Sequence, residues 1–234
     1  MQDLVDAFGA AFALLVGLDR DLLEIIARSL WVSSSALVLA AGVGLPLGGA
    51  VALLRFPGRR IAAVGLNALM GLPPVVVGLV VYLTLSRSGP LGFLGWLFTP
   101  TAMVIAQFLL ITPILAALTR QVLEDLWEEY DEQLRSLGAS RLRAIPTLLW
   151  DGRHRLLTTL LAGFGRAIAE VGAVILVGGN IAHVTRVMTT AIALETSKGD
   201  LALALALGIV LLALSLAVNA AAVLAGDMAR NAEA

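Results

Sequence analysis

Long stretches without a charged residue alternate with short polar segments along this chain. A helix that crosses a lipid bilayer needs about 20 mostly apolar residues. Backbone polar groups in hydrocarbon must be satisfied within the segment, which favours helices over open strands. The stretches that meet this length are 29–54, 61–86, 101–119, 156–177 and 201–226. The pattern therefore predicts an all-α, polytopic membrane helical bundle with about five transmembrane helices.

A shorter apolar segment, residues 4–18, precedes these stretches. It lies between Asp3 and the polar group Asp19-Arg20-Asp21, and it is too short for an ordinary span. These features favour a helix lying in the membrane interface over a sixth transmembrane segment. Met1-Gln2-Asp3 lacks the basic start of a cleaved signal peptide, so we expect the segment to be retained.

The composition agrees with a bilayer as the surrounding solvent. Hydrophobic residues make up 59% of the chain and charged residues 14%, whereas soluble domains carry about 25% charged residues. The net charge is -1 and the basic residues are scattered, so they do not form the basic patch typical of nucleic-acid binding. The chain has no cysteine, which excludes disulfides and thiolate-bound metals.

Charge is concentrated in one segment, residues 120–155, between the third and fourth apolar stretches. If the segment Arg55–Arg60 is cytoplasmic, alternation of the spans places 120–155 on the same side. Ten arginines then lie inside, against four arginines and one lysine outside. Since loops rich in arginine and lysine remain in the cytoplasm, this orientation is favoured.

The first half of this charged segment has the pattern of an amphipathic helix. Apolar residues recur at spacings of three and four, namely Leu123, Leu126, Tyr130, Leu134 and Leu137. The opposite face is expected to be solvated, and it starts with Glu124 and Asp125. Gly138 is a good helix stop, and Ser140 can cap a second short helix that ends before Pro146. We therefore expect a helix–turn–helix elbow in the cytoplasm, with a connector lying on its own bundle as the simpler alternative.

The sequence Glu132-Gln133-Leu134-Arg135-Ser136-Leu137-Gly138-Ala139 resembles the "EAA" loop of permease subunits in binding-protein-dependent ABC importers. Gln133-Leu134 stands where the family has two alanines. In that family the loop forms a coupling helix that sits in a groove of the ATPase subunit. The resemblance implies that a set of residues contacts the ATPase: Glu132, Leu134, Arg135, Leu137, Gly138, Ala139 and Ser140.

Further stretches are similar to the oxyanion branch of these importers. They are 67–79, 165–173, 178–181 and 185–200, and the last two look most like tungstate permeases. The resemblance implies one transmembrane permease domain over residues 1–234, with the ABC importer permease fold and 120–155 as the cytoplasmic coupling loop. It also implies a multi-pass inner-membrane protein that forms a homodimer with a second copy of itself. The implied partners are two copies of an ABC ATPase subunit and an extracytoplasmic oxyanion-binding protein. Molybdate, sulfate and thiosulfate remain alternative substrates to tungstate.

The energy source is expected to lie outside this chain. A phosphate-binding P-loop needs Gly-Lys-Ser/Thr, and the only lysine is Lys198 in Thr-Ser-Lys-Gly. We therefore expect no cofactor and no enzymatic activity here, with ATP-Mg bound by the partner ATPase. A secondary transporter driven by an ion gradient would predict internal repeats, which the sequence lacks, and no intramembrane protease motif is found.

Arg166 and Glu170 are the ionisable residues placed well inside an apolar stretch. A charge at the bilayer centre costs at least about 2.5 kcal/mol, and residues four apart on a helix can pair. One interpretation is a structural ion pair. The other is that Arg166 lines the translocation path and attracts an anion transiently, while Glu170 keeps that attraction weak.

A polar group follows the apolar stretch 156–177 on the predicted outer side. Its members are Asn180, Thr185, Arg186 and Thr189, with Thr190 beside them. Arginine and hydroxyl donors suit tetrahedral oxyanions, so this group is a second candidate for the path. The alternatives are a loop that docks the binding protein or one that caps a helix. His154 and His183 are isolated in the sequence, and we predict no metal site.

Overall fold

The computed structural model describes residues 2–233, and the side chains of residues 7–226. Within the described chain the secondary structure is helical, with no strand. The α-helices are α1 Gln2–Val16, α2 Arg20–Leu53, α3 Arg59–Met70, α4 Pro74–Leu85, α5 Pro100–Ser136, α6 Arg141–Asp151, α7 Arg153–Ile168, α8 Gly172–Gly178, α9 Met188–Lys198 and α10 Leu201–Glu233. A short 3-10 turn, Gly92–Leu94, lies between α4 and α5. The predicted all-α class is confirmed.

Three of these helices, α2, α5 and α10, are each long and apolar enough to cross a membrane. The number rises to five if α3 with α4, and α7 with α8, each count as one span. The prediction of about five spans is therefore confirmed in number, but stretches 61–86 and 156–177 are not continuous helices. The first break follows from Gly71, which ends α3, and Pro73, which has no N–H to donate to a continuing helix.

The N-terminal segment forms helix α1. Its described apolar part, Ala7–Val16, is shorter than a membrane span. This length agrees with the predicted short helix, and its placement in the membrane interface stays a prediction.

The chain forms two compact units, each made of three segments. The first unit comprises the chain up to Ala36, Pro73–Gln107 and Arg166–Ala217. The second comprises Leu37–Leu72, Phe108–Gly165 and the chain from Val218 onward. The single permease domain over residues 1–234 stays a prediction.

In the first unit, α4 and α8 pack at very short distance. A Cβ atom added to Gly78 would lie 2.7 Å from Cα of Ala173 and 3.1 Å from its carbonyl oxygen. Only glycine permits this approach of two backbones. Nearby, the N–H of Phe98 donates to the carbonyl of Val177 at 2.9 Å, which fixes the loop before α5 against the end of α8.

We expect Gly78→Ala to destabilise the first unit, because the added methyl group meets backbone that cannot move aside. Overpacking of this kind costs about 1–3 kcal/mol. The measurement is the thermal unfolding midpoint of the protein purified in detergent. Gly65→Ala is the matched control, since nothing lies within 4 Å of a Cβ atom placed there. Equal midpoints for the two variants would contradict the close packing of α4 on α8.

The second unit contains the core on which the charged segment rests. Leu53 at the end of α2, Leu123 and Leu126 in α5, and Leu148 in α6 are buried together, with Leu156 of α7 completing the cluster. This cluster positions the C-terminal end of α5 and the whole of α6.

Candidate functional site

The amphipathic pattern predicted after residue 120 is the C-terminal part of α5. Leu123 and Leu126 are buried, and Tyr130 and Leu134 pack against the same cluster. These four positions are confirmed as the apolar stripe. Leu137 was wrongly placed in it, because α5 ends at Ser136 and the Leu137 side chain is 82% exposed in the turn that follows.

The turn between α5 and α6 has the hydrogen bonds of a glycine-terminated helix. The N–H of Gly138 donates to the carbonyl of Arg135, and the N–H of Ala139 donates to that of Leu134, each at 2.9 Å. Gly138 has φ +74°, a left-handed conformation that costs a residue with a Cβ about 1–2 kcal/mol. The predicted helix stop at Gly138 is confirmed.

Helix α6 begins as expected and ends later than expected. The Ser140 hydroxyl accepts from the N–H of Arg143 at 3.5 Å, which confirms its capping role. The predicted end before Pro146 is wrong, because α6 continues to Asp151. One lost backbone hydrogen bond at Pro146 is outweighed by burial of Ile145 and Leu148 on either side.

Arg141 fixes the start of α6 in the second unit. Its guanidinium donates to the carbonyl of Leu53 at 2.9 Å and lies over the ring of Trp127, 5.1 Å from the centroid. Burial lowers the pKa of Arg141, and the positive charge of Arg55 adds to that shift. The elbow is therefore held at the α6 end of its turn.

The charged face of α5 is only partly solvated. Glu124 is half-buried and accepts from both Arg59 and Arg120 at 2.7 Å. Asp125 pairs with Arg155 of α7 at 2.6 Å. The expectation of a solvated face is thus wrong for Glu124, since basic residues from α3 and α5 converge on it. These ion pairs fix the base of the elbow within the second unit.

The predicted ATPase-coupling residues are brought together at this turn. Leu134 and Ala139 are partly buried, and Arg135 is exposed and pairs with Asp131 at 2.6 Å. The other exposed members are Glu132, Leu137, Gly138 and Ser140. Leu142, at the start of α6, adds a second exposed leucine. We call residues 132–142 the coupling surface: a rigid turn with apolar side chains at its tip, framed by charge. Its contact with an ATPase stays a prediction.

The predicted ion pair between Arg166 and Glu170 is present. The Glu170 side chain is 4% exposed, whereas that of Arg166 is 36% exposed. The Glu170 carboxylate also accepts a hydrogen bond from the N–H of Ala173 at 3.1 Å, so it caps the N-terminus of α8. The pair therefore lies at the break between α7 and α8, where the sequence predicted an uninterrupted helix. Its place in a translocation path stays a prediction.

Two further side chains donate hydrogen bonds to the backbone at this break. The Gln107 amide donates to the carbonyl of Ala167 at 3.0 Å, and the Thr189 hydroxyl donates to the carbonyl of Glu170 at 2.8 Å. The break leaves the carbonyl of Glu170 without a helical partner, whereas that of Ala167 also accepts from the N–H of Glu170 at 3.1 Å. Gln107 was missed in the sequence, where its one distinguishing signal is an amide inside an otherwise apolar, uncharged stretch.

The polar group after α8 is cross-linked within its own loop. The Thr185 hydroxyl donates to the carbonyl of Gly178 at 2.6 Å, and Asn180 exchanges two hydrogen bonds with Thr190. Arg186 approaches Glu195 of α9 at 3.6 Å. These contacts agree with the capping alternative for Thr185, Asn180 and Thr190. The role of Asn180, Thr185, Arg186 and Thr189 in a path stays a prediction.

His183 is not isolated, contrary to the expectation from the sequence. Its Nδ1 lies 2.8 Å from a carboxylate oxygen of Glu24, and Arg28 pairs with Glu24 and donates to the carbonyl of His183 at 2.8 Å. Asp21, Glu24 and His183 each place a ligand atom within 4.8 Å of the others. The Glu24 carboxylate already contacts both Arg28 and His183. These contacts form a polar cluster that connects α2 to the loop before α9.

Comparison with known families places this geometry in context. Residues 44–226 match the family described as "Binding-protein-dependent transport system inner membrane component". The tungstate uptake system permease protein of Peptoclostridium acidaminophilum is 44% identical over 94% of this chain and 96% of its own length. The corresponding protein of Campylobacter jejuni is 36% identical over 92% of this chain and 90% of its own.

A more distant relative and a solved structure extend the comparison. The sulfate transport system permease protein CysT of Salmonella typhimurium is 32% identical over 69% of this chain and 61% of its own length. A chain from a bacterial ABC transporter involved in alginate import superposes with a TM-score of 0.69, covering 95% of this chain and 87% of that one. Its identity is 18%, so this likeness supports the fold alone.

Proposed function

Since the chain belongs to the family of binding-protein-dependent transport system inner membrane components, we propose that it is the permease through which an ATP-driven importer takes up tungstate. The observation that carries the choice of substrate is the likeness to two tungstate permeases along more than nine-tenths of the chain. The likeness to a sulfate permease is lower and covers a smaller part of the chain. The coupling surface and the Arg166–Glu170 pair support the same proposal.

In this proposal two copies of the chain form the membrane pathway in the inner membrane. Two copies of a separate ATPase subunit bind ATP-Mg and hydrolyse it on the cytoplasmic side, and a binding protein delivers the oxyanion outside. The coupling surface, residues 132–142, receives the motion of the ATPase. Its turn is fixed to the second unit by Arg141 and by the buried leucines, so displacement of the tip moves α5 and α6 together.

ATP acts by changing which conformation is favoured. Closure of the ATPase dimer pushes the elbow, and the two permease copies rock from an inward-facing to an outward-facing state. Such a shift requires that ATP and the loaded binding protein interact more favourably with the outward-facing state than with the resting one. The oxyanion then passes from the binding protein into the pathway.

Arg166 is the residue we place in the path of the anion. Its side chain is partly exposed, and the paired Glu170 carboxylate weakens the attraction of Arg166 for an anion. A site that conducts an ion must also release it, so a partly compensated arginine suits a pathway better than a free one. The polar group Asn180, Thr185, Arg186 and Thr189 forms the outer end of the path in this proposal.

The test is to isolate the complex with its ATPase and measure hydrolysis in the presence of the binding protein. The binding protein loaded with tungstate is expected to stimulate hydrolysis and uptake, and the unloaded protein is not. Equal or greater stimulation with sulfate would assign the chain to sulfate import instead, and equal stimulation with molybdate would widen the substrate class. A complex that takes up no oxyanion under any of these conditions would overturn the proposed function.

A further inference from the structure

A small internal cavity lies in the first unit beside the break between α7 and α8. It has room for about one water molecule. Polar side chains line it from several helices: Ser29, Ser33, Gln107, Glu170 and Thr189. Each of these residues is buried. The cavity is therefore a polar void in the region of the chain expected to lie within the membrane.

Three of the hydrogen-bond donors around this cavity are already used. The Ser29 hydroxyl donates to the carbonyl of Ile25 at 2.8 Å, while its oxygen accepts from the N–H of Met188. Thr189 donates to the carbonyl of Glu170, and the Gln107 amide nitrogen donates to that of Ala167. The hydroxyls of Ser29 and Thr189 therefore offer only acceptor capacity to the cavity, and the Gln107 amide still offers its oxygen.

The Gln107 Oε1 atom is the decisive observation. The Gln107 residue is 4% exposed, and this oxygen is buried without a hydrogen-bond partner. A buried carbonyl of this kind costs about 1–3 kcal/mol unless it is satisfied. The cavity next to it is lined by acceptors and by a carboxylate, so it suits a small donor. A tetrahedral oxyanion is excluded by both size and charge.

We propose that one water molecule occupies this cavity and donates to Gln107 Oε1, and that Gln107 is a positioning residue for transport. This inference rests on the proposed function. At the break over 169–171, Gln107 donates to the carbonyl of Ala167, which also accepts from the N–H of Glu170, and Thr189 donates to the carbonyl of Glu170. The hydrated Gln107 thereby fixes the direction in which the chain leaves α7, and with it the position of the Arg166–Glu170 pair.

The first test compares Gln107→Met with Gln121→Met in the complete complex, reconstituted with its ATPase and binding protein. Methionine has a similar length and neither donates nor accepts as an amide does. Gln121 lies on the same helix and is exposed, so it controls for the loss of an amide. We expect Gln107→Met to lower the maximal uptake rate by about tenfold. This factor corresponds to the net free energy of roughly one hydrogen bond.

A purely structural role of Gln107 would change both the maximal uptake rate and the affinity for the loaded binding protein. A positioning role changes the maximal rate and leaves that affinity unchanged. The concentration of loaded binding protein that gives half-maximal uptake is expected to stay unchanged in Gln107→Met. Deuterium exchange of the backbone N–H groups in 169–175 is expected to accelerate in this variant and not in Gln121→Met. Wild-type uptake by Gln107→Met, or unchanged exchange in 169–175, would overturn the inference.

Two further measurements keep the inference testable if Gln107→Met does not assemble. Thr189→Val removes the neighbouring donor with little change in shape, and it is expected to give the same faster exchange in 169–175; unchanged exchange would count against the network. A high-resolution cryo-EM map of the wild-type complex should show a water-sized peak beside Gln107 Oε1, and an empty cavity would overturn the proposal.

A dependence of wild-type uptake on sodium would also overturn the proposal, because it would assign the cavity to a cation. A wild-type complex that imports no oxyanion would refute the proposed function, while the map still tests the water.

Discussion

Leu137→Asp is expected to abolish ATP-driven uptake while leaving the permease folded. Leu137 lies in the turn beyond α5 with its side chain 82% exposed, so the substitution removes no core contact and its cost to folding is small. In the proposed complex we expect the same side chain to enter the ATPase groove, where an unpaired carboxylate is strongly unfavourable. Anchors at the centre of an interface are worth about 2 kcal/mol or more, which corresponds to a loss of at least about thirtyfold. Uptake by reconstituted vesicles and co-purification of the ATPase measure the effect.

Glu128→Lys is the control for a change of charge on the same helix. Glu128 is exposed and lies before the coupling surface, so we expect near-normal uptake despite a larger change in net charge. Glu132→Ala and Gly138→Ala test the same surface by milder changes, and both are expected to uncouple uptake from hydrolysis without preventing membrane insertion. Normal uptake by Leu137→Asp, Glu132→Ala and Gly138→Ala would rule out docking through residues 132–142.

The apolar stretches could be predicted because membrane insertion depends on length and hydropathy, which are local properties. The two breaks were harder. The first is marked by Pro73-Pro74, a signal that the sequence does carry. The second, at 169–171, has no proline, and the carbonyls of Ala167 and Glu170 beside it accept hydrogen bonds from Gln107 and Thr189 in other parts of the chain. Such a break depends on tertiary hydrogen bonds that no local pattern records.

The coupling surface followed well from local rules for the same reason. A left-handed glycine and a capping serine act within one turn of the helix, so Gly138 and Ser140 were identified correctly. The continuation of α6 through Pro146 was missed, because burial of Ile145 and Leu148 outweighs the proline. The ion pair of Glu124 with Arg59 could not be predicted from local sequence, because the two residues are 65 apart.

Pairs of polar residues show the same contrast. Arg166 and Glu170 are four apart and could be paired from helix geometry alone. Gln107 and Ala167 are 60 residues apart, and Glu24 and His183 are 159 apart. Local sequence therefore indicates no partner for His183 and no role for Gln107. The residues that complete the site are the ones whose partners are distant in the chain.

Arg166→Ala is expected to slow uptake more than it lowers the amount of assembled complex. Removal of one partner from a buried ion pair costs about 3–5 kcal/mol, because the other charge is left uncompensated. Here Arg166 is partly exposed and Glu170 keeps the N–H of Ala173 as a donor, so we expect a smaller loss of assembly. The loss of uptake is expected to be larger, about tenfold or more, since the pathway loses its positive charge.

The double variant Arg166→Ala/Glu170→Gln separates the two roles of the pair. Glutamine retains an oxygen that can accept from Ala173 and leaves no buried carboxylate, so assembly is expected to return to near the wild-type amount. Uptake is expected to stay low, because the guanidinium is still missing. Detergent-solubilised complex quantified beside vesicle uptake gives both values for wild type, each single variant and the double. If the double variant recovers uptake together with assembly, Arg166 serves only to neutralise Glu170, and the anion makes no use of its charge.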